Sequence, residues 1–100
     1  MIFYAILLGM YYTYILHSEK DGQLYTGYTP DLKSRLKAHN SGFVRATKYR
    51  LPLHLVHYEA FVEEKDAKRR EVFLKGGKGK KEIEIMLAEY FKKNEWKKEQ

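Results

Sequence analysis

The chain has 100 residues, no cysteine, 44% hydrophobic and 15% aromatic residues, and a formal net charge of +6. That length holds one domain with a single modest core, and the apolar content excludes a disordered tail. The missing cysteines exclude disulfides, thiolate metal sites and cysteine nucleophiles, and they fit a cytoplasmic protein. The positive charge is unevenly placed. Residues 32–58 contain no Asp or Glu but include Lys33, Arg35, Lys37, Arg45, Lys48 and Arg50, interleaved with Phe43, Tyr49 and Tyr58. Cations mixed with aromatics suit phosphate contact and base stacking; the plainer alternative is an ordinary solvated cationic face.

Met1 to Gly9 is apolar and uncharged in its side chains. It is far shorter than the roughly 20 residues of a membrane span and lacks the basic start of a signal peptide. It reads as an extension, so that the domain proper is expected over residues 10–93. Residues 12–27 then place two runs of tyrosine, threonine and branched aliphatics around Asp21-Gly22. The pattern predicts a β-hairpin, because Asp-Gly tolerates the positive φ of a tight turn. Alternation puts Tyr12, Tyr14 and Leu16 on one face and Tyr11, Thr13 and Ile15 on the other. Gly27, a bare backbone beside Tyr25, marks a place of close approach.

Thr29-Pro30-Asp31 predicts a helix from Pro30 to Asn40 capped by Thr29 and stopped at Gly42. Arg35 and His39, at i and i+4, border its apolar stripe of Leu32 and Leu36. A basic loop from Gly42 to Pro52 precedes a strand over Leu53 to Glu59, with Leu53, Leu55 and His57 alternating against His54, Val56 and Tyr58. A second helix is expected from Glu63 to Lys75, then a linker of Gly76-Gly77-Lys78-Gly79, then a third helix from Lys80 to Lys92. The tail, residues 94–100, is polar. In the second helix Glu71 falls in line with Ala67 and Leu74, so its carboxylate faces inward and needs a counter-charge. Arg70, Arg35 or a metal ion are the alternatives.

Tyr12-Thr13-Tyr14, ten intervening residues, then Tyr25-Thr26-Gly27 resembles the paired signature of the GIY-YIG nuclease superfamily. Of the first triplet only its last tyrosine, Tyr14, matches the family name. The segments ending Arg35-Leu36-Lys37-Ala38-His39-Asn40 and Arg70-Glu71-Val72-Phe73-Leu74-Lys75 are similar to those of the small stand-alone bacterial branch. The resemblance extends to the catalytic domains of the excision-repair nuclease subunit and of homing endonucleases. It implies an α+β domain, a three-stranded antiparallel sheet flanked by three helices. It also implies an endonuclease that hydrolyses nucleic acid, DNA foremost, in a setting such as DNA repair.

The residues matching the family's functional positions are Tyr14, Tyr25, Arg35, His39 and Glu71, expected to converge on one concave face over the hairpin. The resemblance casts Tyr14 as the base, Tyr25 as its orienting partner, Arg35 as the phosphate fork and His39 as proton shuttle or phosphate ligand. Glu71 is a hard oxygen ligand suited to a single Mg²⁺ or Mn²⁺. Lys33, Lys37, Arg45, Lys48, Tyr49 and Arg50 are the expected nucleic-acid contacts. No recognition module accompanies the domain in this sequence, so weak sequence preference, or a protein partner supplying specificity, is expected of a monomer or weak dimer without membrane attachment. The competing functions are a nucleic-acid-binding module of the same fold that cuts slowly or not at all, and an adaptor associating through the apolar N-terminal segment.

Overall fold

The computed structural model describes residues 9–94, so most of the apolar extension and of the polar tail lies outside the described residues. Three strands, β1 (Tyr11–Ser18), β2 (Leu24–Thr29) and β3 (Leu53–Phe61), form an antiparallel sheet in the order β2-β1-β3. Among the described residues four helices accompany it: α1 (Leu32–Asn40), α2 (Glu64–Lys75), α3 (Gly77–Met86) and α4 (Ala88–Lys93). The class is α+β, as expected, and the described residues hold four helices where three were expected.

The hairpin closes at Asp21-Gly22, where Gly22 has φ +72° and the Asp21 carboxylate accepts the Gln23 N–H at 2.9 Å. The central strand β1 is buried from Thr13 to Ser18, so both of its faces need cover. On one face Tyr14, Leu16 and Leu53 pack against Leu32 and Leu36 of α1, with Tyr25 and Leu51. On the other, Ile15, Leu74 and Ile83 pack with Leu24, Val56, Leu87 and Phe91 beneath α2, α3 and α4. Each such buried aliphatic contributes about 1.5–3 kcal/mol relative to exposure. The sheet is thus the middle of three layers.

Several boundaries differ from those predicted. Thr29 stays in β2 and its hydroxyl accepts the Asp31 N–H at 3.1 Å. The cap passes to Asp31, whose carboxylate accepts the Ser34 N–H, and α1 begins at Leu32 instead of Pro30. In β3 the predicted alternation breaks: Leu55 pairs with Leu16 but His57 with Ile15, leaving Val56 as an extra residue. This bulge moves His57 away from the face of Leu53 and Leu55.

The Gly76-Gly77-Lys78-Gly79 linker is largely helix, because α3 starts at Gly77. Gly79 is required there, since a Cβ would overlap the Phe73 carbonyl oxygen and the Leu74 Cα, whereas Gly77 faces open space. The predicted third helix is two helices. They break at Leu87, whose N–H reaches both the Ile83 and Ile85 carbonyls, so that Leu87 and Phe91 turn into the Ile15 core. His17 and the Tyr90 hydroxyl, 2.6 Å apart, fasten α4 to the sheet.

Candidate active site

Tyr14 occupies the middle of β1 opposite Gly27 of β2. Its phenol lies across that bare backbone, so that a Cβ at position 27 would stand 2.5 Å from Tyr14 Cζ and Oη. The side chain is fully buried. Its hydroxyl is 2.8 Å from His39 Nε2, presented by the last turn of α1. The His39 ring stands edge-on to both tyrosines, with centroids 5.6 Å from Tyr14 and 5.3 Å from Tyr25. Behind it, His39 Nδ1 is 2.7 Å from Thr47 Oγ1. Thr47, His39 and Tyr14 are all inaccessible to solvent, so they form one buried chain of hydrogen bonds running outward from the basic loop.

That burial sets the protonation states. Removal from water, with the Arg35 charge as a lesser cause, depresses His39 from 6.5 to about 4. Burial also pushes the Tyr14 phenol above 10.0, although the neighbouring Arg35 guanidinium pulls it down. The resting pair is therefore neutral imidazole and neutral phenol. A histidine whose folded pKa is depressed contributes stability above its unfolded pKa, and that stability is lost as pH falls through the folded value. His39 alone is expected to remove about 3 kcal/mol of stability between pH 7 and pH 4. Urea unfolding across that range checks this, and a His39→Gln variant should show a correspondingly flatter profile.

Arg35, one turn before His39, lies against the phenols of Tyr14 and Tyr25, whose proximity (Tyr14 foremost) holds its pKa above its usual value. Its Nε is buried with no hydrogen-bond acceptor among the described residues. A buried donor left open in this way is uncommon and calls for a ligand or another explanation. Tyr14, Tyr25, Arg35 and His39 thus form one cluster, assembled by a strand pair and a single helix.

A model of the GIY-YIG catalytic domain matches residues 10–98 of the chain. The chain belongs to the GIY-YIG family. It is 36% identical over 91 residues to a UPF0213 protein of Clostridium perfringens, covering 90% of this chain and 97% of that relative. It is 46% identical over 65 residues to a UPF0213 protein of Streptococcus agalactiae, covering 64% of this chain and 73% of the relative. Among solved structures it resembles the solution NMR structure of a UPF0213 protein from Bacillus halodurans, with a TM-score of 0.50, 36% identity, and 77% and 84% of the two chains covered.

The fifth candidate of this GIY-YIG domain, Glu71, is supplied by α2, from the layer opposite α1. Its helix α2 packs along β1 and β2, fixed by Thr13 donating to the Ala67 carbonyl at 2.7 Å and Tyr28 donating to the Glu64 carboxylate at 2.7 Å. From there the Glu71 carboxylate is close enough for its charge to act on the Tyr14 phenol. Neither suggested arginine neutralises it. Arg70 is taken by Glu59 at 2.8 Å and Glu82 at 2.6 Å, and Glu71 pairs with Lys75, one turn along, at 2.8 Å.

Among the described residues no group of three His, Cys, Asp or Glu could hold a metal by itself. A lone carboxylate fits a hard divalent ion that keeps most of its waters and shares the rest of its sphere with phosphate, and does not fit a closed protein cage.

The basic loop divides. Lys33, Lys37, Arg45 and Lys48 are exposed, and the Lys48 ammonium sits 5.0 Å above the Tyr49 ring. Arg50 is engaged instead by Asp21, at 2.6 Å. With the Ser18 hydroxyl donating to the Arg50 carbonyl at 2.6 Å, it ties the loop to the hairpin turn. Thr47 is the residue that sequence reasoning missed. Nothing in a lone threonine within a basic loop signals that its hydroxyl will meet an imidazole from the helix before it.

Proposed function

We propose that this GIY-YIG protein is a metal-dependent endonuclease that hydrolyses phosphodiester bonds of nucleic acid, DNA foremost, with low intrinsic sequence specificity. The observation that carries this reading is Arg35: a permanently charged guanidinium between two phenols, its buried Nε open. No carboxylate pairs with it among the described residues, so it is free to receive a phosphate through its planar fork.

Tyr14 is the group that takes a proton from water. In the resting state it is protonated, and Thr47 and His39 hold its hydroxyl in place. With Nδ1–H donating to Thr47, the neutral imidazole Nε2 accepts the Tyr14 O–H and fixes its orientation, and positive charge at the site, Arg35 first, is what lowers the phenol toward ionisation. Tyr25, over the same imidazole, keeps the ring upright. Glu71 would hold one divalent ion. When bound, Mg²⁺ or Mn²⁺ supplies positive charge for the phosphoryl and leaving oxygens. The exposed Lys33, Lys37, Arg45 and Lys48 line up the backbone of the substrate, and a protein partner is the natural source of any sequence preference. The elevated pKa of Tyr14 favours the alternative of a slow or non-catalytic binder only if no charge arrives to lower it.

Incubation of the purified protein with nicked, branched and single-stranded DNA, with Mg²⁺ or Mn²⁺ and with chelator, tests the proposal. Cleavage that disappears in chelator is expected. Arg35→Lys keeps a charge and an aliphatic stem but loses the fork, and should lower the cleavage rate about 100-fold or more without unfolding the domain. Full activity in Arg35→Lys, or cleavage undiminished by chelator, would overturn the assignment.

A further inference from the structure

The face of the sheet that carries Tyr14 also carries a second aromatic pair, which the chemistry above leaves unused. Tyr12 precedes Tyr14 by two residues in β1 and so shares its face. Tyr58 of β3 is the direct cross-strand partner of Tyr14. The Tyr12 and Tyr58 rings lie 6.1 Å apart, tilted at 58°, and Tyr58 is 52% exposed.

The position of Tyr58 depends on the β3 bulge. Pairing continued without a break from Leu16–Leu55 would set His57 opposite Tyr14 and send Tyr58 to the other face. The extra residue at Val56 returns Tyr58 to the side of Tyr14. Bulges beside functional sites re-aim side chains in this way. Tyr12 also stands where the first signature triplet departs from the family name.

We propose that Tyr12 and Tyr58 form a base-stacking subsite for an unpaired nucleotide beside the phosphate held by Arg35. The preferred substrate is therefore DNA with unpaired bases at the cut, single-stranded or frayed, in place of intact duplex. A base inside a duplex has both faces covered by its neighbours, so an exposed phenol ring gains a stacking partner only when the strand is open. The strand pair preorganises the two rings, and Tyr58 packs beside Tyr12 while staying half exposed. The acid-free stretch from Leu32 to Tyr58 supplies the matching positive charge.

The inference rests on the nuclease reading, and binding measured in chelator separates the two, because it needs no cleavage. Fluorescence anisotropy is recorded with a labelled single-stranded oligonucleotide and with a blunt duplex of equal length, for wild type, Tyr58→Phe and Tyr58→Ala. Tyr58→Ala is expected to weaken single-strand binding about tenfold and leave duplex binding unchanged, while Tyr58→Phe keeps wild-type affinity because the ring is retained. Equal loss on both forms, or no loss on either, overturns the subsite. So does a Tyr58→Ala effect confined to self-association in sedimentation, which would make the pair a contact between copies. If wild type binds neither form, the nuclease reading fails and the subsite fails with it. If wild type binds as expected and does not cut, the subsite stands alone.

Discussion

Replacing Glu71 with alanine is expected to abolish cleavage and leave the fold almost untouched. The activity loss should be about 100-fold or greater, as when a charge-stabilising group is removed from a reacting phosphate. The stability change is decided by the partner of Glu71. A carboxylate locked to a buried arginine would cost about 3–5 kcal/mol to remove, because the arginine would be stranded. Here the partner is Lys75, itself about half exposed and one helical turn away. Such i,i+4 pairs contribute about 0.3–0.5 kcal/mol, which the better helix propensity of alanine largely offsets. DNA binding should persist, since Arg35 and the exposed lysines remain. Cleavage time courses and thermal unfolding of wild type and Glu71→Ala, each with and without Mg²⁺, check both halves. A large drop in Tm with activity retained would show Glu71 to be structural.

What could be read from the chain and what could not divide along a physical line. The hairpin was legible because Asp21-Gly22 settles its own geometry within a few residues. Arg35 and His39 were legible as neighbours because helical spacing alone puts them on one side of α1. The features that escaped depend on contacts between segments far apart in the chain. The Val56 bulge arises from how β3 pairs with β1, and no local pattern in Leu53 to Phe61 announces it. Gly79 reads in the sequence as part of a linker; it is glycine because α3 begins against the backbone at the end of α2. The inward placement of Glu71 was legible from spacing, but its counter-ion was not: Arg70 turned to Glu59 and Glu82, on an element and a helix whose approach the sequence does not encode locally. Thr47 belongs to the same class, a side chain whose meaning appears only when His39 is brought beside it.

Gly27→Ala should damage the protein at a position where the same change in an ordinary strand would help it. Exchanging glycine for alanine in a strand normally gains about 0.5–1 kcal/mol by restricting the unfolded chain. At position 27 the new methyl would stand 2.5 Å from Tyr14 Cζ and Oη, well inside contact distance. The far end of a tyrosine can usually swing aside. This one swings aside only by giving up its contacts, because its hydroxyl is held by His39 and its ring is packed against those of Tyr25 and His39. Overpacking of this kind costs about 1–3 kcal/mol and exceeds the entropic gain. The relief route open to the molecule is rotation of Tyr14 away from His39, which breaks the buried chain to Thr47 and removes the proton acceptor from beside Arg35. The expected result is a net loss of stability together with loss of cleavage, while Gly27→Ala still binds DNA through α1 and the basic loop. Chemical denaturation, cleavage assays and the His39 imidazole signals in NMR report the three consequences separately. An alanine variant that is more stable than wild type, with unchanged imidazole signals and full cleavage, would mean that Tyr14 does not need the bare backbone of Gly27 beneath it.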